Sequence, residues 1–234
     1  MSLNKQQKIV NWFDITYKRK GFSYLRTSEA YEVFTKILNL KSGDSVLDVA
    51  CGPGLFLSLA NEIDCRCTGI DASKEAVKMA RNYTPESEIY LGNSEKLPFE
   101  DNSFDVVVCI GALERFVNLQ EALAEQLRVA KQNSRFCFLV RNSSSILWTI
   151  NMKILRRQNT AGHQDAKSLD QWKHVFESNG FNIEKIFPDQ WPLHKIFSFF
   201  PLFIKKRIML SIHKGVFPLS LSGEFIFLLS KKNP

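Results

Sequence analysis

Long apolar runs are absent from this chain of 234 residues. The longest stretches, Val106 to Ile110 and Ile196 to Ile204, fall far short of the ~20 residues that span a bilayer, and Ser198 and Pro201 interrupt the second. No transmembrane helix is expected. The first twenty residues lack an apolar segment and contain Asp14, so neither a secretory signal nor a transit peptide is expected. Cysteine is scarce and odd in number: Cys51, Cys65, Cys67, Cys109 and Cys137 sit in apolar runs rather than in a spaced framework. Reduced thiols and a cytoplasmic protein follow. Cys65-Arg66-Cys67 hints at metal, but no His or Cys pair elsewhere completes a ligand set, so these read as small buried strand residues and no metal is expected. Internal repeats and low-complexity segments are lacking too.

What is present suits one packed domain: 44% hydrophobic and 24% charged residues. The net charge of +7 is uneven. Residues 1–140 carry 17 Lys and Arg against 18 Asp and Glu, whereas residues 141–234 carry 14 against 6. The second half would therefore attract an anionic substrate, a membrane surface or a nucleic acid. Its basic residues are interleaved with apolar runs and form no recognisable RNA-binding module, so no nucleic-acid partner is expected.

Amphipathic spacing predicts a helix over Ser28 to Leu38 ending at the Lys41-Ser42-Gly43 turn. Strands are expected at Ser45–Val49, Cys65–Ile70, Glu88–Leu91, Phe104–Ile110 and Arg135–Val140. Helices are expected between them at Leu55–Asn61, Ser73–Asn82 and Leu119–Lys131, with a loop over Gly92–Ser103. This alternation implies an α/β fold with a mostly parallel sheet covered on both faces. Ser168-Leu169-Asp170-Gln171 reads as a capping box opening a helix that ends at Gly180, followed by strands at Phe181–Phe187 and Glu224–Ser230 that should pair. Residues 188–222 are too many for a hairpin turn and read as an inserted cap.

The strongest local pattern is Val46-Leu47-Asp48-Val49-Ala50-Cys51-Gly52-Pro53-Gly54, an apolar strand, an acid, then small residues before a helix. A dinucleotide fingerprint would need glycine at position 57, where Leu57 stands, and the Gly-Lys-Ser/Thr of a P-loop is missing. This disfavours a nicotinamide-dependent dehydrogenase. The loop offers close contact but no phosphate cradle.

Val46 to Gly54 resembles motif I of the class I S-adenosylmethionine-dependent methyltransferases, and the whole is similar to their small-molecule and quinone-biosynthesis type. Gly69-Ile70-Asp71-Ala72-Ser73, Gly92-Asn93-Ser94-Glu95-Lys96-Leu97-Pro98-Phe99 and Asp101 to Val108 match, in order, the family's second strand end, adenine loop and fourth strand. The likeness covers about residues 24–187. It implies a Rossmann-like, doubly wound sheet of order 3-2-1-4-5-7-6 with the last strand antiparallel, an N-terminal helical lid over 1–40 and a methyltransferase domain over 41–234. The cap of 188–222 would lie between strands 6 and 7.

The implied cofactor is S-adenosylmethionine. Asp71 would accept from its ribose hydroxyls, unless it is an ordinary helix-capping residue. Asp48 would face the methionine end, with Ala50, Cys51, Gly52, Gly54, Ala72 and Cys109 around the cofactor. Asn93, where relatives usually have Asp, and Ser94 would meet the adenine, Asn93 being otherwise a turn residue. Arg26 either pairs with the methionine carboxylate or is a surface charge. Trp12, Phe13, Tyr17, Phe22 and Tyr24 form a lid or pack in the core. Many relatives carry a His after the fourth strand; Arg115 stands there instead and cannot be a base. His163 is the candidate substitute, or else a solvated loop residue.

The implied activity is methyl transfer to a small-molecule or lipid-linked acceptor. The alternative is a cofactor-binding partner or membrane-associated protein without catalysis. Gln190 to Ser222 holds Lys195, Lys205, Lys206, Arg207 and Lys214, no Asp or Glu, and six aromatic residues. It reads either as a packed cap or as a contact to anionic membranes.

Overall fold

The computed structural model describes residues 4–145, 165–189, 219 and 222–232. Helix α1 (Lys5–Lys20) is followed by 3-10 turns at Gly21–Tyr24 and Ser28–Tyr31 and by α2 (Glu32–Leu38). Then come β1 (Ser45–Val49), α3 (Leu55–Asn61), β2 (Arg66–Asp71), α4 (Lys74–Tyr83), β3 (Glu88–Leu91) and β4 (Phe104–Ile110). A 3-10 turn at Leu113–Arg115 leads to α5 (Leu119–Val129) and β5 (Ala130–Arg141), and α6 (Leu169–Ser178), β6 (Phe181–Pro188) and β7 (Glu224–Lys231) complete the described elements. His163 and the expected cap of 188–222, apart from Pro188 at the end of β6, Asp189, Leu219 and Ser222, lie outside the described residues.

The seven strands form one sheet in the order β3-β2-β1-β4-β5-β7-β6, as expected. β1 to β5 run parallel, and β7 is antiparallel to both β5 and β6. Alternation along the strands divides the core in two. Val106, Val108, Cys137 and Leu139 face α2, α3 and α4. Val107, Cys109, Phe136, Phe138 and Val140 face α5 and α6. The second layer is aromatic: the Phe176 ring lies 4.9 Å from Phe227 and 5.5 Å from Phe138, and Phe136 lies 5.0 Å from Phe181.

Local chemistry explains the element ends. The Ser168–Gln171 capping box is formed at α6, and Asn4–Gln7 makes another at α1. The helix expected over Ser28–Leu38 is a 3-10 turn followed by a shorter α-helix. β5 starts at Ala130, earlier than the expected Arg135, because Phe104 pairs with Ala130 and Val106 with Arg135. The surplus residues on β5 are absorbed as an irregularity, which hides a strand start that reads as a turn.

Gly69, in the middle of β2, leaves no room for a side chain: a Cβ there would come within 2.7 Å of Leu57 Cδ1 and 2.9 Å of Cys51 Sγ. Gly69→Ala should overpack the contact of α3 with the sheet and destabilise the protein by about 1–3 kcal/mol. Thermal unfolding reads this as a Tm lower by roughly 2–4 °C per kcal/mol. An unchanged Tm would mean that α3 can lift off β2 freely.

Candidate functional site

A turn, two carboxylates and a covering helix build the site at the carboxyl ends of the parallel strands. After β1 the chain takes left-handed conformations at Ala50 (φ 60°), Gly52 (φ 53°) and Gly54 (φ 86°), which wind it tightly into α3. The two glycines do different work. A Cβ on Gly52 would lie 3.0 Å from the Tyr17 hydroxyl of α1, whereas one on Gly54 would lie 3.2 Å from the Thr84 side chain behind the turn.

Asp71, at the end of β2, locks this turn to the next. Its Oδ2 accepts from the Gly52 amide (2.9 Å) and its Oδ1 from the Ser73 amide (2.8 Å). Burial pushes its carboxyl up to about 6, against the lowering effect of these donors. Asp48 is more extreme. It is buried, its Oδ1 has no hydrogen-bond partner among the described residues, and burial together with the Asp71 charge raises its carboxyl well above the usual range.

The loop between β3 and β4 is braced from below. Arg128 of α5 donates to the Leu97 and Phe99 carbonyls and to Asp101 and Glu125. Above, Glu95 Oε1 accepts from the amides of Val117 (3.0 Å) and Asn118 (2.9 Å), tying this loop to the one after β4. Asn93 Oδ1 accepts from the Glu95 amide at 3.0 Å, the turn contact that Asn favours.

Helix α1 roofs a cavity of about 310 Å³ with Gln6, Ile9, Val10, Phe13 and Tyr17, one face at helical spacing. Asp14 holds the roof down. Its Oδ1 accepts from the Ser73 hydroxyl (2.6 Å) and the Glu75 amide (3.3 Å), so α1 helps to cap α4. Asp14→Ala should lower the free energy of local opening of α1 by about 1–2 kcal/mol, speeding amide exchange over Lys5–Lys20 roughly 5- to 30-fold. Unchanged exchange there would show that aromatic packing alone holds the helix.

At the far end lies a row of buried and half-buried charges. Arg26 donates Nη1 to Asp189 Oδ1 (3.0 Å), places Nη2 2.9 Å from Asp189 Oδ2, and also pairs with Glu224. Burial opposes the Arg26 charge, but these two carboxylates outweigh it and raise its pKa. Arg141 Nε stands 3.4 Å from Glu224 Oε1 and 3.3 Å from Glu114 Oε1. Neither oxygen of the buried Glu114 has a hydrogen-bond donor among the described residues, and burial raises its carboxyl. Arg115 is also buried, lies with its guanidinium 5.0 Å over the Phe13 ring, and leaves Nη1 without a hydrogen-bond partner.

Of the residues expected from the sequence, Arg26, Asp48, Ala50, Cys51, Gly52, Asp71, Ala72, Asn93, Ser94 and Arg115 line this one cavity. Two do not. Cys109 is fully buried on the face of β4 toward α5 and α6, and Gly54 faces Thr84 of the α4 end. The idea that Arg26 answers a ligand carboxylate meets a guanidinium already shared between two carboxylates. Glu95, Asp14, Glu114, Arg141, Asp189 and Glu224 were not singled out. Glu224 was within reach: an antiparallel β7 must begin where the parallel strands end.

Residues 47–138 match the family described as "Methyltransferase domain". The chain is similar to the uncharacterized methyltransferase YcgJ of Bacillus subtilis, 28% identical over 68% of this chain and 64% of that protein. It is also similar to the demethylmenaquinone methyltransferase of Symbiobacterium thermophilum, 34% identical over 45% of this chain and 46% of the relative. The chain thus spans about half to two thirds of the length of the curated relatives it matches. Among solved structures it resembles the methyltransferase in complex with the Haloferax volcanii Trm112 methyltransferase activator, with a TM-score of 0.70, 18% identity, and 97% of this chain and 98% of that one covered.

Proposed function

We propose that the chain is a class I S-adenosylmethionine-dependent methyltransferase, a reading supported by the methyltransferase-domain match over residues 47–138 and by the fold, and that it methylates a small-molecule or hydrophobic, lipid-linked acceptor. The observation that carries this reading is the pair Asp48 and Asp71, two raised carboxylates gathered around one left-handed turn under a covering helix.

These residues fit the cofactor. Asp48 Oδ1 is an unpartnered buried acceptor suited to the amino group of the methionine end. Asp71 spends one acceptor site of each oxygen on the Gly52 and Ser73 amides and keeps the others for the ribose hydroxyls. Gly52 gives the ligand bare backbone to lie against. Asn93 spends one lone pair on Glu95 and keeps its amide to donate to an adenine ring nitrogen. When bound, the cofactor supplies a methyl group on a positively charged sulfonium.

The protein's part is to orient and to keep water out. α1 closes the roof, Asp48 and Asp71 would fix one partner against the sheet, and the walls at the carboxyl ends of β4 and β5 would hold the other in line. Arg115, as a guanidinium, takes no part as a base. Domain limits at residue 40, and a cap over 188–222 that selects a hydrophobic acceptor or touches anionic membrane, stay within this proposal. No helix among the described residues is long and apolar enough to cross a membrane.

The test is transfer itself. With methyl-labelled S-adenosylmethionine and extracted metabolites and lipids as acceptors, label should appear in an organic-soluble product. Cofactor binding without transfer to any extract would make the chain a binding protein instead.

A further inference from the structure

Among the described residues the cavity has three arginines, and two of them are matched. Arg26 is held by Asp189 and Glu224, and Arg141 by Glu114 and Glu224. Arg115 differs. It is more than nine-tenths buried, yet among the described residues no carboxylate lies within ion-pair distance of it and Nη1 has no acceptor, while its guanidinium lies over the Phe13 ring. A guanidinium kept dry without an anion is costly, and one aromatic face offsets only part of that cost. The neighbouring Glu114 feels the charge of both Arg141 and Arg115, but it stands within ion-pair distance of Arg141 alone among the described residues.

Position separates Arg115 from the turn assigned to the cofactor. Tyr17 stands over Gly52, whereas Phe13, one turn earlier on α1, stands over Arg115. Apolar side chains share the cavity with Arg115: Ile9 and Phe13 from the roof, Ile110 at the end of β4, Phe116 after it, and Leu139 of β5. We propose, resting on the methyltransferase reading, that Arg115 binds the carboxylate of the acceptor, so that this enzyme takes apolar-bodied carboxylates. One unmatched guanidinium suits one carboxylate, whereas a phosphate dianion in a dry cavity would need further donors. The negative acceptor is also drawn toward the sulfonium.

The probes are 1-naphthoate and its neutral amide, 1-naphthamide, titrated by fluorescence into protein saturated with S-adenosylhomocysteine. Wild type should bind the carboxylate at least tenfold more tightly than the amide. Arg115→Met should abolish that preference and leave amide binding unchanged. Arg115→Lys, which keeps the charge but not the planar fork, should retain part of it, and serves if the Met variant does not fold. Equal binding of the two probes by wild type overturns the proposal, as does a preference that survives in Arg115→Met. Should Arg115→Met weaken S-adenosylhomocysteine tenfold while sparing 5′-methylthioadenosine, which lacks the amino-acid tail, Arg115 belongs to the cofactor's carboxylate and the proposal fails. Absence of S-adenosylhomocysteine binding by wild type would instead remove the methyltransferase reading on which it rests.

Discussion

Asp71→Ala is expected to weaken S-adenosylmethionine binding roughly 30- to 1000-fold in isothermal titration. The ionised carboxylate offers two charge-assisted hydrogen bonds to the ribose, and losing both costs ~2–4 kcal/mol after water replaces part of them. The loss is compounded because the same carboxylate holds the Gly52 amide, and with it the turn on which the ligand lies. A pH signature accompanies it. With the Asp71 carboxyl at about 6, the acceptor is protonated below that value, so affinity should fall toward tenfold per pH unit as the solution is acidified past 6.

Stability of the ligand-free protein should move the other way. The folded state holds this proton up to about 6, whereas the unfolded chain releases it near 3.8. Between those values the folded state binds more protons, so the contribution of Asp71 to stability is greatest at low pH and is lost as pH rises to about 6. Asp71→Asn should flatten both dependences. Unchanged affinity in a folded Asp71→Ala protein would remove this residue from the site.

Asp48→Asn should separate stability from binding. The native side chain is buried with an unpartnered oxygen, and ionising it there is opposed by burial and by Asp71. An amide of the same shape removes that charge penalty, so the ligand-free variant should gain about 1–2 kcal/mol and melt roughly 2–8 °C higher. The same change takes the charge away from the proposed ammonium partner and should cost ~1.5–3 kcal/mol of binding, about 10- to 150-fold in affinity. Scanning calorimetry and titration on one preparation test both. A lower Tm with undiminished affinity would make Asp48 a structural residue.

Much of this was legible in the sequence because short apolar strand runs and short helical stretches alternate without interruption from β1 to β4. Glu88–Leu91, Phe104–Ile110 and Leu55–Asn61 fall where their patterns place them. The early start of β5 was hidden, since Gln132-Asn133-Ser134 reads as a turn and only pairing with Phe104 makes a strand of it. At the site, residues read from contiguous motifs converge on one cavity. Those that act across the chain did not announce themselves. Asp14 reaches Ser73, and Arg26 reaches Asp189 and Glu224, over separations that no local pattern encodes. Cys109 was misplaced by one strand face: odd and even positions of β4 look alike where Val106, Val107 and Val108 are all apolar and all buried.

The central claim is that the cavity beneath α1 is an S-adenosylmethionine site, and equilibrium titration of wild-type protein with S-adenosylmethionine and, separately, NADH tests it most directly. Saturable 1:1 binding of S-adenosylmethionine at neutral pH that weakens below pH 6, with no NADH binding, is the predicted result. Binding of NADH with no binding of S-adenosylmethionine would contradict it.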